Sequence, residues 1–261
     1  MKDLNDIQRA AQEQFGKQSH RYAKGHVLEN IEDVRAAVAH MNLPAQALVL
    51  DIATGAGHTG LFFASLGHDV TLADVAQPML DRAAEAAATR GLHITTRLHA
   101  AEELPYPDGR FDLVTCRVAA HHFSSPEAFV QETARVLKPG GWFLLIDGSI
   151  EDGQTEAEEW LHQVEKFRDP SHHRLLTPHT WAGYCAANGL AVTHSELTPF
   201  KQPDLSWYFE TAATSPENRR KVLDLVDHAP DSVRQVLGLT VEDGKVVWWW
   251  QRLTLLAQRR Q

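Results

Sequence analysis

Little in this chain offers a covalent or metallic scaffold. Only two of its 261 residues are cysteine. Cys116 and Cys185 stand far apart with no CxxC spacing, which argues against a disulfide framework or a cysteine-bound zinc. Histidine is plentiful at fifteen, but no HExxH pair occurs, so no metal site is expected. No apolar run approaches the ~20 residues that a membrane helix requires. The opening MKDLNDIQRAAQEQF is charged and amphipathic, without a secretion signal's apolar core. No membrane insertion and a cytoplasmic location are therefore expected. Cations are in deficit: 25 Lys and Arg against 34 Asp and Glu leave a net charge of −9. A nucleic-acid surface would need clustered cations, and clusters such as Arg219-Arg220-Lys221 suit solvated helix faces. Internal repeats, low-complexity tracts and Pro- or Ser-rich linkers are also missing. That favours one domain over 1–261 and a small-molecule partner, with the oligomeric state open and a homodimer compatible.

What is present is a rhythm. Ala47–Ile52 (ALVLDI) is a short apolar run suited to a strand buried on both faces. Gly55–Leu66 turns helical, and His68–Ala73 is a second strand. Gln77–Arg90 is an alanine-rich helix stopped by Gly91. Strands follow at His93–Leu98, Phe111–Cys116 and Trp142–Ile146, with a helix at Pro126–Leu137 stopped by Pro139-Gly140-Gly141. Such alternation predicts a doubly wound α/β sheet. Beyond Asp147 the rhythm loosens. Helices are expected at Glu151–Phe167 and Pro178–Ala187, and a strand at Leu190–Ser195. A mostly helical insertion covers 199–239. Val246–Leu256 reads as one long final strand after the turn Glu242-Asp243-Gly244. The core is thus expected at about 45–198 and 244–258. A cap (1–44) and a lid insertion (about 199–243) would cover the sheet's carboxyl edge.

The chemistry sits in VLDIATGAGHTG. A strand runs into glycines and then a helix, as needed where the backbone takes positive φ or a ligand approaches the main chain. Gly55, Gly57 and Gly60 also satisfy GxGxxG, so a dinucleotide must be weighed. Asp51 closes the strand, where a carboxylate would repel a pyrophosphate at the following helix N-terminus. S-adenosylmethionine (SAM) has no phosphate, and its ammonium group would favour an acid there. Asp74 closes the second strand, placed to accept ribose hydroxyls in either cofactor. The balance tips towards SAM.

Four segments together resemble the SAM-dependent methyltransferases, in particular the branch similar to ubiquinone/menaquinone-biosynthesis C-methyltransferases. They are VLDIATGAGHTG, ADVAQPML, AEELPYPDGRFDLVTCRVAAHHF and ETARVLKPGGWFLLID, spanning about 47–147 in the family's order. The resemblance implies a Rossmann-like fold: seven strands, mostly parallel, with an antiparallel last strand and helical lid elements. It also implies a cofactor site. Asp51, Ala53, Gly55 and Gly57 would line its methionine side, closed by Arg117. Asp74 would hold the ribose, Val75 and Met79 would pack near the adenine, and Ala100, Ala101 and Glu102 would border its edge. Tyr22 would reach in from the cap.

Two departures stand out. The family usually has glycine where Ala53 stands, a mild change provided φ there is negative. It commonly has Asp where Ala100 stands, and losing that hydrogen bond costs roughly 0.5–1.5 kcal/mol, about three- to tenfold in affinity.

His121 and His122 follow the fourth strand at the carboxyl edge, where ligands of open α/β sheets bind. Either could serve as general base, with His122 preferred, or simply pack. His122, His172, His173 and Arg174 are candidate substrate contacts, with Arg168 and Arg174 able to grip an anion. One of Trp248, Trp249 and Trp250 should be core, and another could edge a pocket for a planar substrate. The expected function is methyl transfer from SAM to a small molecule, aromatic or quinone-like, at a C, O, N or S nucleophile. Alternatives are an NAD(P)-binding oxidoreductase and a SAM-binding protein without transferase activity.

Overall fold

The computed structural model describes residues 4–18 and 27–261. The expected sheet forms from β1 (Leu48–Ile52), β2 (Asp69–Asp74), β3 (Thr95–Leu98), β4 (Phe111–Arg117), β5 (Leu137–Ser149), β6 (Leu190–Lys201) and β9 (Trp249–Arg259). Their order is β3-β2-β1-β4-β5-β9-β6. The pairs among β1–β5 are parallel, and β9 runs antiparallel to both β5 and β6.

The apolar run of β1 is explained by burial on two sides. Leu50 and Ile52 join one core with Val114, Phe129, Phe143 and Trp181. Val49 faces the other, with Leu61, Phe63, Leu72, Leu80 and Leu144. The period-2 alternation of a strand thus feeds two cores at once. Helices α5 (Pro126–Val136) and α7 (Pro178–Ala187) supply the first core, and α3 (His58–Ser65) and α4 (Gln77–Thr89) the second.

A third core lies beyond the sheet. Here α6 (Thr155–Arg168), α8 (Leu205–Ala212), α9 (Pro216–Asp227) and α10 (Asp231–Leu237) pack around Trp160, Tyr208 and Trp248. The expected helical lid therefore recruits α6.

Two boundaries move. The Pro139-Gly140-Gly141 turn lies inside β5, which already pairs at Leu137 with Phe111 and shifts register before Leu113. The predicted strand over 246–256 is split. A small hairpin of β7 (Thr240–Glu242) and β8 (Lys245–Val247) ends where Trp248 plunges into the third core, and β9 then resumes. Because β9 continues to Trp249, β6 extends beside it to Lys201, past the expected start of the insertion.

Two helices precede the sheet, α1 (Asp6–Gln18) and α2 (Glu32–Val38). Side-chain amides fasten α1 across the carboxyl edge. Gln8 Nε2 donates to Glu102 at 2.9 Å and Gln12 Nε2 to the Val75 carbonyl at 2.8 Å. Gln14 and Gln18 both donate to the Ala212 carbonyl at the end of α8. The helix thus bridges the sheet and the lid. Among the described residues no helix is long and apolar enough to cross a membrane.

Candidate active site

Strands β1, β2, β4 and β5 all end at one edge, and a cleft opens there beneath α1 and the lid helices. Counting its open mouth, it encloses about 1820 Å³ of empty space. Its walls include Ala53, Gly55, Asp74, Val75, Met79, Ala100, Ala101, Glu102, Arg117, His121, His122 and His172. Tyr22 lies outside the described residues.

Asp51 is placed otherwise than expected. It is absent from the wall and lies beneath the glycine loop, 1% exposed. Its Oδ2 accepts from Thr54 Oγ1 at 2.5 Å and from Gly60 N at 3.0 Å, and its Oδ1 from Thr115 Oγ1 at 2.7 Å. Three donors hold the carboxylate, so Asp51 braces the glycine loop from beneath. Burial pushes its pKa up against the pull of those hydrogen bonds. Gly57 is likewise off the wall. It caps α3 at φ 88°, and a Cβ there would lie 2.9 Å from that of Ala83. Gly60 lets the helix reach the sheet, since a Cβ would lie 2.1 Å from Leu72.

Ala53 also departs from expectation. Its φ is +51°, so this is not the mild replacement that a negative φ would have made it. An L-residue in the left-handed region carries roughly 1–2 kcal/mol of strain. Val118, on the same wall, has φ +53° and is β-branched, a rarer outlier still. Both strained residues flank the cleft.

Asp74 faces the cleft from the end of β2. Its Oδ2 accepts from Gly55 N and its Oδ1 from Ala76 N, each at 2.9 Å. A carboxylate has about four acceptor sites, so capacity remains for a further donor. Burial pushes this carboxyl up to about 6, against the pull of the N–H groups of Ala76, Gly55 and Val75. Glu102 is already engaged by Ser124 and Gln8. The Arg117 guanidinium is consumed by Asp33 and by the carbonyls of Leu28 and Asn30, so it pins the chain before α2 over the cleft.

These donor sets fit SAM. Asp74 offers acceptors of the kind a ribose diol needs, and Val75, Met79 and Ala101 offer an apolar surface of the kind a flat adenine needs. Among the described residues, Arg117 and Arg252 on this wall both pair with Asp33.

At the other end stand the histidines. His121 Nδ1 lies 2.6 Å from Asp147 Oδ1, and His121 N donates to Asp147 Oδ2 at 2.8 Å. Its Nε2 has no hydrogen-bond partner among the described residues. Burial opposes its charged form, but the charge of Asp147, the hydrogen bond to it, and then Glu165 and Asp169 outweigh that, so its pKa is raised. His122 lies beside it, ring centroids 4.2 Å apart, with Nδ1 3.1 Å from Ser171 Oγ. Burial, then the neighbouring charge of His121, lowers its pKa to about 4. His172 is 2% exposed, and its buried Nε2 has no hydrogen-bond partner among the described residues.

His173 and Arg174 are not on the wall. Their backbone N–H groups donate to the His121 carbonyl, while the exposed Arg174 side chain reaches Glu158. Arg168 is on the wall but bound to Glu165, the Tyr208 carbonyl and Thr211. Arg168 is thus occupied, and Arg174 lies off the cleft wall.

Trp250 takes the pocket-edge place expected of one of the three tryptophans, whereas Phe200, Trp207 and Glu165 on the same wall escaped the sequence reading. Phe200 and Trp250 stack at 5.7 Å with Trp207 alongside, and Glu165 accepts from Tyr208 Oη and Trp250 Nε1. Asp147, which orients His121, could have been found by applying to β5 the rule that singled out Asp51 and Asp74: an acid ending a strand of this sheet.

Comparison with known proteins agrees with this geometry. The methyltransferase-domain family matches residues 50–145. The chain is 32% identical over 228 residues to the uncharacterized methyltransferase YcgJ of Bacillus subtilis, covering 87% of this chain and 89% of that one. The YcgJ crystal structure superposes with a TM-score of 0.81 at 29% identity, over 89% of this chain and all of the other. The ubiquinone/menaquinone biosynthesis C-methyltransferase of Cupriavidus metallidurans is 32% identical over 149 residues, 56% of each chain. The oxidoreductase alternative falls away: the Rossmann-like sheet and these relatives agree, and the chain belongs to the SAM-dependent methyltransferase family.

Proposed function

We propose that the protein methylates a planar, hydroxyl-bearing small molecule of aromatic or quinone-like type, with His121 accepting the hydroxyl proton. His121 on the cleft wall, backed by the buried Asp147, carries this reading. The stacked Phe200 and Trp250, with Trp207, offer flat apolar faces to a ring. Relatives named as demethylmenaquinone and ubiquinone methyltransferases support the same acceptor class. A cytoplasmic protein of one domain, without nucleic-acid partners, fits the same reading.

SAM, when bound, supplies an electrophilic methyl group on a cationic sulfur. Asp74 would hold the ribose diol, Val75, Met79 and Ala101 the adenine, and Ala53 and Gly55 the methionine end. Ala100 contributes no carboxylate at the adenine edge. Asp147 accepts from Nδ1 of His121 and so leaves Nε2 as the basic nitrogen. The acceptor's O–H bond breaks, its proton passes to Nε2, and the electron pair stays on the oxygen. The resulting phenolate is more nucleophilic at oxygen and at its ring carbons, which serves O- and C-methylation alike. General-base help of this kind supplies about 10²–10⁴-fold. Helix α1 and the lid exclude water and hold the reactants together.

The test is transfer of tritium from methyl-labelled SAM to a panel of phenols and quinols. Label in a phenolic product, lost in His121→Ala, is expected. Full transfer by that variant would remove the proposed base.

A further inference from the structure

Behind His122 lies a second chain of polar groups that methyl transfer does not require and that the reading above leaves unused. Ser171 Oγ lies 2.6 Å from Asp169 Oδ1 and 3.1 Å from His122 Nδ1. Ser171 N also donates to Asp169 Oδ1, at 2.9 Å. All three side chains are buried. A serine hydroxyl has one proton and a carboxylate has none to give. Ser171 therefore donates to Asp169, and the contact with His122 can be a hydrogen bond only if His122 Nδ1 carries the proton. In a neutral ring Nε2 is then a lone pair, and His122 lies on the cleft wall. The ring is also clamped mechanically. Phe15 of α1 meets it edge-on at 4.8 Å, His121 lies at 4.2 Å and His172 at 6.3 Å.

The charged groups around it agree. Burial and the neighbouring His121 disfavour a second cation here, whereas Asp169 and Asp147 work in the opposite sense and do not prevail. A raised pKa on one histidine and a lowered one on the next splits their duties. His121 suits a proton carrier, and His122 suits a fixed hydrogen-bond acceptor.

Resting on the assignment of the histidine end to the acceptor, we propose that Asp169 and Ser171 are positioning residues that hold His122 in the Nδ1–H tautomer, so that this part of the site selects an acceptor presenting a hydrogen-bond donor, such as a second hydroxyl. A ligand with only lone pairs at that point would face another lone pair, and the mismatch would select against it.

The tautomer is directly readable. In protein labelled with 15N at histidine, the ring nitrogens of His122 are assigned by their disappearance in His122→Asn. The spectra are recorded at pH 7.5 without acceptor. The expected result is a protonated Nδ1 and a bare Nε2 on His122 in the wild type. Ser171→Ala should mix the two tautomers, and Ser171→Thr should restore the wild-type pattern by keeping the hydroxyl. A wild-type His122 protonated on Nε2 would overturn the proposal, as would a tautomer that Ser171→Ala leaves unmoved. Should the alanine variant fail to fold, the wild-type and threonine spectra still decide. No methyl transfer enters this measurement, so it stands or falls separately from the role of His121 as base.

Discussion

Replacing Asp74 by asparagine should separate stability from function. Burial holds this carboxyl at about 6 against an ordinary 3.8, so keeping it charged above pH 7 costs the fold on the order of 3 kcal/mol. Asparagine removes that cost. It also turns one acceptor into a donor facing the N–H of Gly55 or Ala76, which costs about 1–3 kcal/mol. The two nearly cancel, so at pH 8 the variant should be as stable as the wild type or slightly more so. Binding should fare differently. One charge-assisted hydroxyl contact to the ribose, about 1.5–3 kcal/mol, is lost, which weakens SAM by roughly ten- to a hundredfold.

The pH dependence carries a sign. A carboxyl whose folded pKa lies above its unfolded value contributes stability that is fully present below about 4 and lost as pH rises through 6. Wild-type stability relative to the variant should therefore grow on acidification from 8 to 4. Urea unfolding at both pH values, with calorimetric SAM titration at pH 8, provides the readouts. A variant that loses several kcal/mol at pH 8, or binds SAM as tightly as the wild type, would refute the reasoning.

Three further outcomes are expected. Ala53→Gly relieves a left-handed alanine; after the added flexibility of the unfolded chain is subtracted, it should stabilise by about 0.5–1 kcal/mol in urea unfolding. Because His121 must be neutral to accept a proton and Asp147 raises its pKa, the wild-type rate should climb with pH through a midpoint above 6.5. In Asp147→Asn that midpoint should fall and the plateau should drop at least tenfold, as read from a kcat–pH profile. Gln8→Ala with Gln12→Ala removes two ties of α1 to the cleft rim, about 1 kcal/mol each. Proteolysis near α1 should accelerate, and SAM should bind several-fold more weakly.

The sheet was legible because its signals are local. Apolar runs such as ALVLDI, glycine stops such as Gly91 and the order of the segments all act over a few residues. The split at Trp248 was not, because only the distant packing of α6 and α8–α10 makes that residue a core plug. At the site, Asp74 could be placed from its position closing a strand. Asp51 could not, since the same strand-end position hides three donors supplied by loop, helix and a neighbouring strand. The sign of φ at Ala53 has no signature in residue type unless glycine stands there. The pairing of His121 with Asp147 spans 26 positions, as does most of what separates a base from a merely nearby histidine. Arg174 shows the converse: adjacency in RDPSHHR suggested a shared role, but the chain turns its side chain to the surface.

The cleft as drawn has two ends with separable duties, and the most direct test measures both on one pair of variants. SAM affinity by calorimetry and methyl transfer at saturating SAM are determined for Asp74→Asn and His121→Ala. Asp74→Asn should lose at least tenfold in affinity yet retain substantial turnover once saturated. His121→Ala should bind SAM within twofold of wild type and lose 10²-fold or more in turnover. Equal losses of both quantities in both variants, or a His121→Ala protein that turns over normally, would contradict the assignment of cofactor and acceptor to these ends.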